Sequence, residues 1–105
     1  MYNPNLEIVI DTGGHVLNLD RREYTPLGGK TVRLTPTETN ILSVLMVNSP
    51  DVITRSDIMY CAEMPEDTDE QNVRMHVFNI RRKIKPLDPI KNIEGVGYAF
   101  RVSPV

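Results

Sequence analysis

The spacing of apolar residues changes at Thr35, and this change restricts the chain to a fold with sheet and helix in separate segments. Before Thr35, short runs of alternating apolar and polar residues are separated by Asp11-Thr12-Gly13-Gly14 and Gly28-Gly29, which are typical turn sequences. The predicted strands are 6–10, 15–19, 23–27 and 30–34. We therefore expect the first third of the chain to form a four-stranded antiparallel sheet.

After Leu34 the sequence predicts helices. Thr35-Pro36-Thr37-Glu38 combines an N-cap threonine, a proline at the first helical position and a glutamate at the third, which together make a capping box. This first helix ends at Asn48-Ser49-Pro50. Thr54-Arg55-Ser56-Asp57 is a second capping pattern and begins a shorter helix. The two helices and their short connection predict a helix-turn-helix arrangement.

A third helix is predicted from about Thr68, which is spaced from Gln71 as in a capping box, to about Lys85. Its apolar residues fall on one stripe and are expected to be buried: Val73, Val77, Ile80 and Ile84. The opposite face carries Gln71, Met75, Phe78 and Arg82, with Arg74 and Asn79 on its flanks. An exposed phenylalanine among basic and amide side chains suits contact with the thymine methyl groups and the edges of DNA bases.

The C-terminal residues return to a strand pattern. Segments 90–93 and 98–102 flank Gly95-Val96-Gly97 and predict a closing β-hairpin. The predicted fold class is therefore α+β, with a four-stranded antiparallel sheet, three helices and a C-terminal hairpin. The 105 residues suit one domain. We divide it into a sheet at 1–34, helices at 35–86 and a hairpin at 87–105.

Charge is distributed unevenly along the chain. The net charge of −2 is unusual for a dedicated nucleic-acid binder, which tends to be basic. However, segment 63–70 holds five acids and no base, whereas segment 71–91 holds six bases and one acid. The predicted third helix therefore lies in a basic segment. The net charge of the whole chain hides the positive local field of that segment.

The sequence offers no constellation for catalysis, metal binding or a cofactor. Cys61 has no second cysteine, and His15 and His76 are the only histidines, so no metal site is predicted. We expect Cys61 to be a packed thiol. We find no apolar run that approaches the ~20 residues of a membrane span and no signal-peptide pattern. A cytoplasmic protein that is not an enzyme, with no membrane partner, is predicted.

Four strings, in this order along the chain, resemble the OmpR/PhoB-type winged-helix domain, the output module of bacterial response regulators in two-component systems. These strings are Leu34–Glu38, Val52–Arg55, the stretch from Val73 to Ile84, and Gly95–Phe100. The resemblance covers essentially the whole chain. It implies a winged helix-turn-helix in which the C-terminal hairpin is the wing.

The resemblance implies sequence-specific binding of double-stranded DNA in transcription regulation. It places the third helix in the major groove and the wing at the adjacent minor groove, and it allows head-to-tail tandem homodimers on DNA. Together with the residue pattern, it gives these candidate DNA-binding residues: Gln71, Arg74, Met75, Phe78, Asn79, Arg81, Arg82, Lys83, Lys91 and Asn92. Because Arg81 lies nearer the buried stripe, it could brace the fold or bind a phosphate.

Two positions depart from the family pattern. Glu94 stands where the family often has an arginine that can enter the minor groove, so wing contact with DNA is an open question. Glu63-Met64 replaces a frequent Trp-Gly pair and begins an acidic loop with Glu66 and Asp67, a candidate contact for RNA polymerase. These features favour an alternative function, a winged-helix inhibitor or adaptor with weak or no DNA binding. The chain shows no receiver domain, so we expect any control by phosphorylation to lie outside it.

Overall fold

The computed structural model describes residues 7–64, 69–85 and 88–102. Its helices are α1 (Pro36–Val47), α2 (Arg55–Cys61) and α3 (Glu70–Ile84). Its strands are β1 (Val9–Thr12), β2 (His15–Asn18), β3 (Glu23–Thr25), β4 (Val32–Arg33), β5 (Ile53–Thr54), β6 (Ile90–Ile93) and β7 (Gly97–Phe100). No helix within these ranges has the length and apolar character needed to cross a membrane.

The N-terminal sheet has the order β1-β2-β3-β4, and every neighbouring pair is antiparallel. Ile10 pairs with Leu17, Leu17 pairs with Tyr24, and Tyr24 pairs with Val32. Since successive side chains of a strand point to opposite faces, this register places Leu17 and Tyr24 together on the core face, where both are fully buried. The predicted four-stranded sheet is confirmed.

The wing hairpin belongs to a second sheet of three strands in the order β5-β7-β6. The strand that joins the hairpin is β5. It pairs antiparallel with β7, with Ile53 opposite Tyr98 and Thr54 opposite Gly97. The sequence prediction missed β5 because two residues are too few to show a strand period. The β-branched run Val52-Ile53-Thr54 was the available signal.

The predicted starts of α1 and α2 are confirmed. Thr35 Oγ1 accepts a hydrogen bond from the Glu38 backbone N–H at 3.2 Å, and Glu38 Oε1 accepts one from the Thr35 backbone N–H at 2.9 Å. Thr54 Oγ1 accepts from the Asp57 N–H at 3.1 Å. Thr54 is thus both the last residue of β5 and the N-cap of α2, so the second sheet fixes where α2 begins.

The predicted N-cap of α3 is wrong by one residue. Asp69 is the N-cap, and its Oδ1 accepts from the N–H groups of Gln71 at 2.9 Å and Asn72 at 3.2 Å. A carboxylate satisfies two of the free N–H groups at a helix start and also places negative charge at the positive end of the helix. Thr68 itself lies outside the described residues.

The core lies between the two sheets and is filled mainly by the helices. The predicted stripe of α3 is confirmed, since Val73, Val77, Ile80 and Ile84 are each at most 2% exposed. They share one hydrophobic cluster with buried residues of α1, α2 and the wing, including Ile41, Leu45, Ile58 and Phe100. Burying one side of α3 leaves the opposite side facing outward.

A buried histidine joins the N-terminal sheet to the wing. His15 Nδ1 lies 2.8 Å from the Tyr24 hydroxyl and accepts from the Leu27 N–H at 3.4 Å, while its ring meets Phe100 edge-on. Burial lowers the pKa of His15, and the Asp11 carboxylate offsets part of that shift. Burial also raises the pKa of the Tyr24 hydroxyl, which keeps it a proton donor. The network therefore requires a neutral imidazole.

We expect the domain to lose stability as the pH falls below about 6.5, the ordinary pKa of histidine. Because the pKa of His15 is lower in the folded state, the unfolded chain takes up a proton that the folded chain resists. Urea denaturation at pH 7.5 and 5.5 measures the change in the free energy of unfolding. His15→Gln should reduce this change, and His76→Gln should retain it. An undiminished change in His15→Gln would contradict the assignment.

Candidate nucleic-acid interface

The outward face of α3 carries the side chains that the helical period placed opposite the buried stripe. Phe78 is 63% exposed and Met75 is 52% exposed. Gln71, Arg74 and Arg82 are also exposed, whereas Asn79 is half-buried at the edge of this face. One face of α3 thus offers cations, an amide and two large apolar side chains to a ligand.

A groove of about 690 Å³ separates this face of α3 from the wing. The helix lines it with Arg74, Val77, Phe78, Arg81, Arg82 and Lys85, and the wing lines it with Asn92, Glu94, Gly95 and Tyr98. Arg55 of α2 also lines it. Among these described residues five are cationic and Glu94 alone carries a carboxylate, so the groove favours an anionic ligand.

Ion pairs divide the predicted basic cluster into two kinds of residue. Arg81 Nε lies 2.6 Å from Asp88 Oδ2, and Lys83 Nζ lies 2.6 Å from Oε1 of Glu38, which is 3% exposed. These contacts tie the last turn of α3 to the start of the wing and to α1. Within the described part of the chain, Arg74 and Arg82 have no ion-pair partner. Lys85, which also lines the groove and is exposed, has none among the described residues either, so these three charges are the ones available in the groove.

The wing places only one of its two predicted residues in the groove. Asn92 lines it, while Lys91, its exposed neighbour on β6, does not. Adjacent residues of a strand point to opposite faces, which explains the separation. At the wing tip Gly95 adopts φ +78, and Glu94 and Val96 are exposed beside it.

The structure describes only part of the predicted acidic partner loop. Glu63 is exposed, with a left-handed φ of 55, whereas Glu66 and Asp67 lie outside the described residues. The prediction that Cys61 is packed is wrong, because this side chain is exposed. The buried stripe of α2 passes through Ile58 and Ala62, about 80° around the helix from Cys61 at ~100° per residue.

Sequence reasoning missed Arg55 as a groove residue. Its guanidinium lies 3.4 Å from the Glu70 carboxylate at the first turn of α3 and is only 15% exposed. A signal was present, because Arg55 is the first residue of α2 and a cation is unfavourable at the positive end of a helix. A residue kept there against the helix dipole is a candidate for another role.

Comparison with known families places the fold. The family model described as "Transcriptional regulatory protein, C terminal" matches residues 29–100, which run from the turn before β4 to the end of β7. This chain belongs to that family. The match includes all three helices and the wing, so the OmpR/PhoB-type resemblance is confirmed.

Curated relatives in this family are response regulators. The chain is 31% identical over 97 residues to response regulator ArlR of Staphylococcus epidermidis, covering 89% of this chain and 44% of the relative. It is 33% identical over 98 residues to the nisin biosynthesis regulatory protein NisR of Lactococcus lactis, covering 90% and 42% respectively. The chain spans less than half the length of these relatives.

Solved structures of similar domains agree with the fold. The C-terminal domain of the nisin resistance regulator NsrR shares 26% identity at a TM-score of 0.78, covering 90% of this chain and 99% of that one. The DNA-binding domain of Escherichia coli CpxR shares 25% identity at a TM-score of 0.73, covering 92% and 99%. The predicted α+β winged helix-turn-helix is therefore confirmed.

One such structure holds a nucleic acid. The DNA-binding domain of response regulator AdeR, in complex with an intercistronic region, shares 26% identity at a TM-score of 0.72. It covers 85% of this chain and 95% of the AdeR chain.

Proposed function

We propose that this domain binds double-stranded DNA sequence-specifically in bacterial-type transcription regulation, in the cytoplasm, with α3 in the major groove. The observation that carries the proposal is the cationic groove between the exposed face of α3 and the wing. The major groove of DNA is about 12 Å wide and admits an α-helix. With α3 in that position, the cationic groove between α3 and the wing would receive the DNA phosphates that flank the helix. The related AdeR domain was solved in complex with an intercistronic region, which supports DNA as the ligand.

We propose that residues 1–105 act as one module, with the sheet at 1–34, the helices at 35–86 and the wing at 87–105. A shared hydrophobic cluster supports this organisation, since it includes Leu17 of the N-terminal sheet, Ile80 of α3 and Phe100 of the wing. A displacement of the wing or of the N-terminal sheet would therefore also shift α3, because their side chains pack in one cluster.

The candidate residues divide into three roles in this proposal. Arg74 and Arg82 contact phosphates, because their charges are not engaged by the described carboxylates. Arg81 and Lys83 hold α3 in place through Asp88 and Glu38. The third role is contact with DNA bases or with the DNA backbone, and we assign it to the amides Gln71, Asn79 and Asn92. Lys91 lies on the other face of β6.

Binding to duplexes selected from a random library is expected to weaken steeply with salt. Neutralising about 3–5 phosphates predicts a slope of roughly −3 to −4 in a plot of log affinity against log salt. Arg82→Ala should make the slope shallower by about one unit and weaken all duplexes alike. Lys30→Ala is the matched control, because that lysine is exposed between β3 and β4 and does not line the groove.

An absence of binding at ~50 mM salt to any selected duplex would contradict the proposal. It would favour the alternative of an inhibitor or adaptor that binds a protein. Equal slopes for the wild type and Arg82→Ala would instead remove Arg82 from the phosphate contacts while leaving DNA binding intact.

Two further partners are proposed from the resemblance. RNA polymerase would contact the acidic loop that begins at the exposed Glu63. A second copy of the chain would bind beside the first on tandem DNA repeats.

A further inference from the structure

Two large apolar side chains on α3 take no part in the core. Met75 is 52% exposed and Phe78 is 63% exposed, while the buried stripe on the other side of the helix is complete. Residues three apart are neighbours on a helix surface. Met75 and Phe78 therefore form one apolar patch, about 4.5 Å long along the helix axis, on the face with Gln71 and Arg74.

Arg82 adjoins the ring of Phe78 on the exposed face of α3. Its guanidinium lies over that ring, 5.9 Å from the centroid, which is a favourable cation–π geometry. Phe78 nevertheless remains mostly exposed. Phe78 lines the basic groove and Met75 does not, so the apolar patch lies at the edge of the groove. A cation adjoining such a patch matches a ligand that has negative charges beside small apolar groups.

We propose that Met75 and Phe78 recognise the C5-methyl groups of thymines on adjacent base pairs. This inference rests on the proposed DNA-binding function and names the class of site, a duplex with neighbouring thymines in the major groove. The thymine methyl is the apolar group that standard base pairs present there. Adjacent base pairs are ~3.4 Å apart along the DNA axis. This spacing is close to the ~4.5 Å that separates Met75 and Phe78 along the axis of α3.

The surrounding charges favour DNA over a protein partner for this patch. Arg74 and Arg82 flank the two apolar side chains and line the groove with Arg81 and Lys85. An apolar protein surface would have to bury these cations, whereas a duplex places phosphates beside them and methyl groups between them.

Replacing thymine by deoxyuridine tests the inference, because this change removes only the methyl group. On a duplex obtained by selection, each thymine is replaced in turn and affinity is measured at fixed salt. Wild-type protein should lose about fourfold for each methyl group that it contacts, at neighbouring positions. Phe78→Ala should bind thymine and uracil duplexes equally at one of those positions. Val47→Ala, which shortens an exposed apolar side chain at the end of α1, away from the groove, should retain the discrimination.

The outcomes separate the inference from the proposed function. If the wild type binds the duplex but no deoxyuridine changes its affinity, DNA binding stands and methyl recognition is wrong. If Phe78→Ala folds normally by circular dichroism yet keeps the full preference for thymine, Phe78 is not the reader. If no duplex binds at all, the proposed function fails and this inference fails with it.

Discussion

A Gly97→Ala variant is expected to lose much of the stability of this domain. A Cβ at Gly97 would lie 2.0 Å from the Ile53 carbonyl oxygen and 2.8 Å from both the Ile53 carbonyl carbon and the Thr54 Cα. All three are backbone atoms, so no side-chain rotation can relieve the clash. The pairing of β5 with β7 would have to open, and with it the contact that fixes the start of α2. We expect a loss of about 3 kcal/mol or more, against a typical total of 5–15 kcal/mol.

Urea denaturation followed by circular dichroism measures this loss, and Gly95→Ala provides the matched control. Gly95 adopts φ +78 but has no heavy atom within 4 Å of an added Cβ. Its replacement should cost only the left-handed backbone penalty, about 1–2 kcal/mol. Absence of a cooperative transition in Gly97→Ala would count as the expected large loss. A Gly97→Ala variant as stable as Gly95→Ala would show that the close approach of β5 and β7 is wrong.

Glu94→Arg is expected to tighten DNA binding by about fivefold or more, roughly 1 kcal/mol. Glu94 is exposed at the wing tip and contributes the one carboxylate among the described residues that line the groove. Near a duplex it meets the negative potential of the phosphates and of the minor groove. An arginine there would gain attraction and release a counterion, so the salt slope should steepen by about one unit.

Glu63→Arg separates the local effect from the effect of net charge. It makes the same change in charge at an exposed position that does not line the groove. Titrations at two salt concentrations should show a larger gain and a steeper slope for Glu94→Arg than for Glu63→Arg. Equal behaviour of the two variants would contradict a wing that lies against DNA, and would favour a role for Glu94 in a protein contact.

The roles of two predicted basic residues show where sequence reasoning stops. Arg82 and Lys83 are consecutive residues in the basic segment 71–91. Both are cationic, so charge alone does not distinguish their roles. In the folded chain Lys83 binds Glu38, forty-five positions earlier, while Arg82 lies over Phe78 in the groove. Adjacent helical residues differ by about 100° in direction, so one faces α1 and the other faces the ligand.

The sequence by itself determined the local elements. Capping is a contact between residues three apart, so the starts of α1 at Thr35 and α2 at Thr54 could be predicted from four-residue strings. The buried stripe of α3 likewise follows from a 3.6-residue period that any amphipathic helix must obey. The order of the N-terminal strands followed from short turns, which leave consecutive strands little choice but to pair.

Tertiary structure alone decided the features that join distant segments. Strand β5 exists because β7 supplies hydrogen-bond partners some forty residues later in the chain, and its two residues have no period of their own. The groove forms because burial of Ile80 and Phe100 in one core holds α3 against the wing. Arg55 enters that groove only through the packing of α2 on α3. Such contacts depend on the packing of whole elements, whose free energy is summed over many residues and leaves no local sequence pattern.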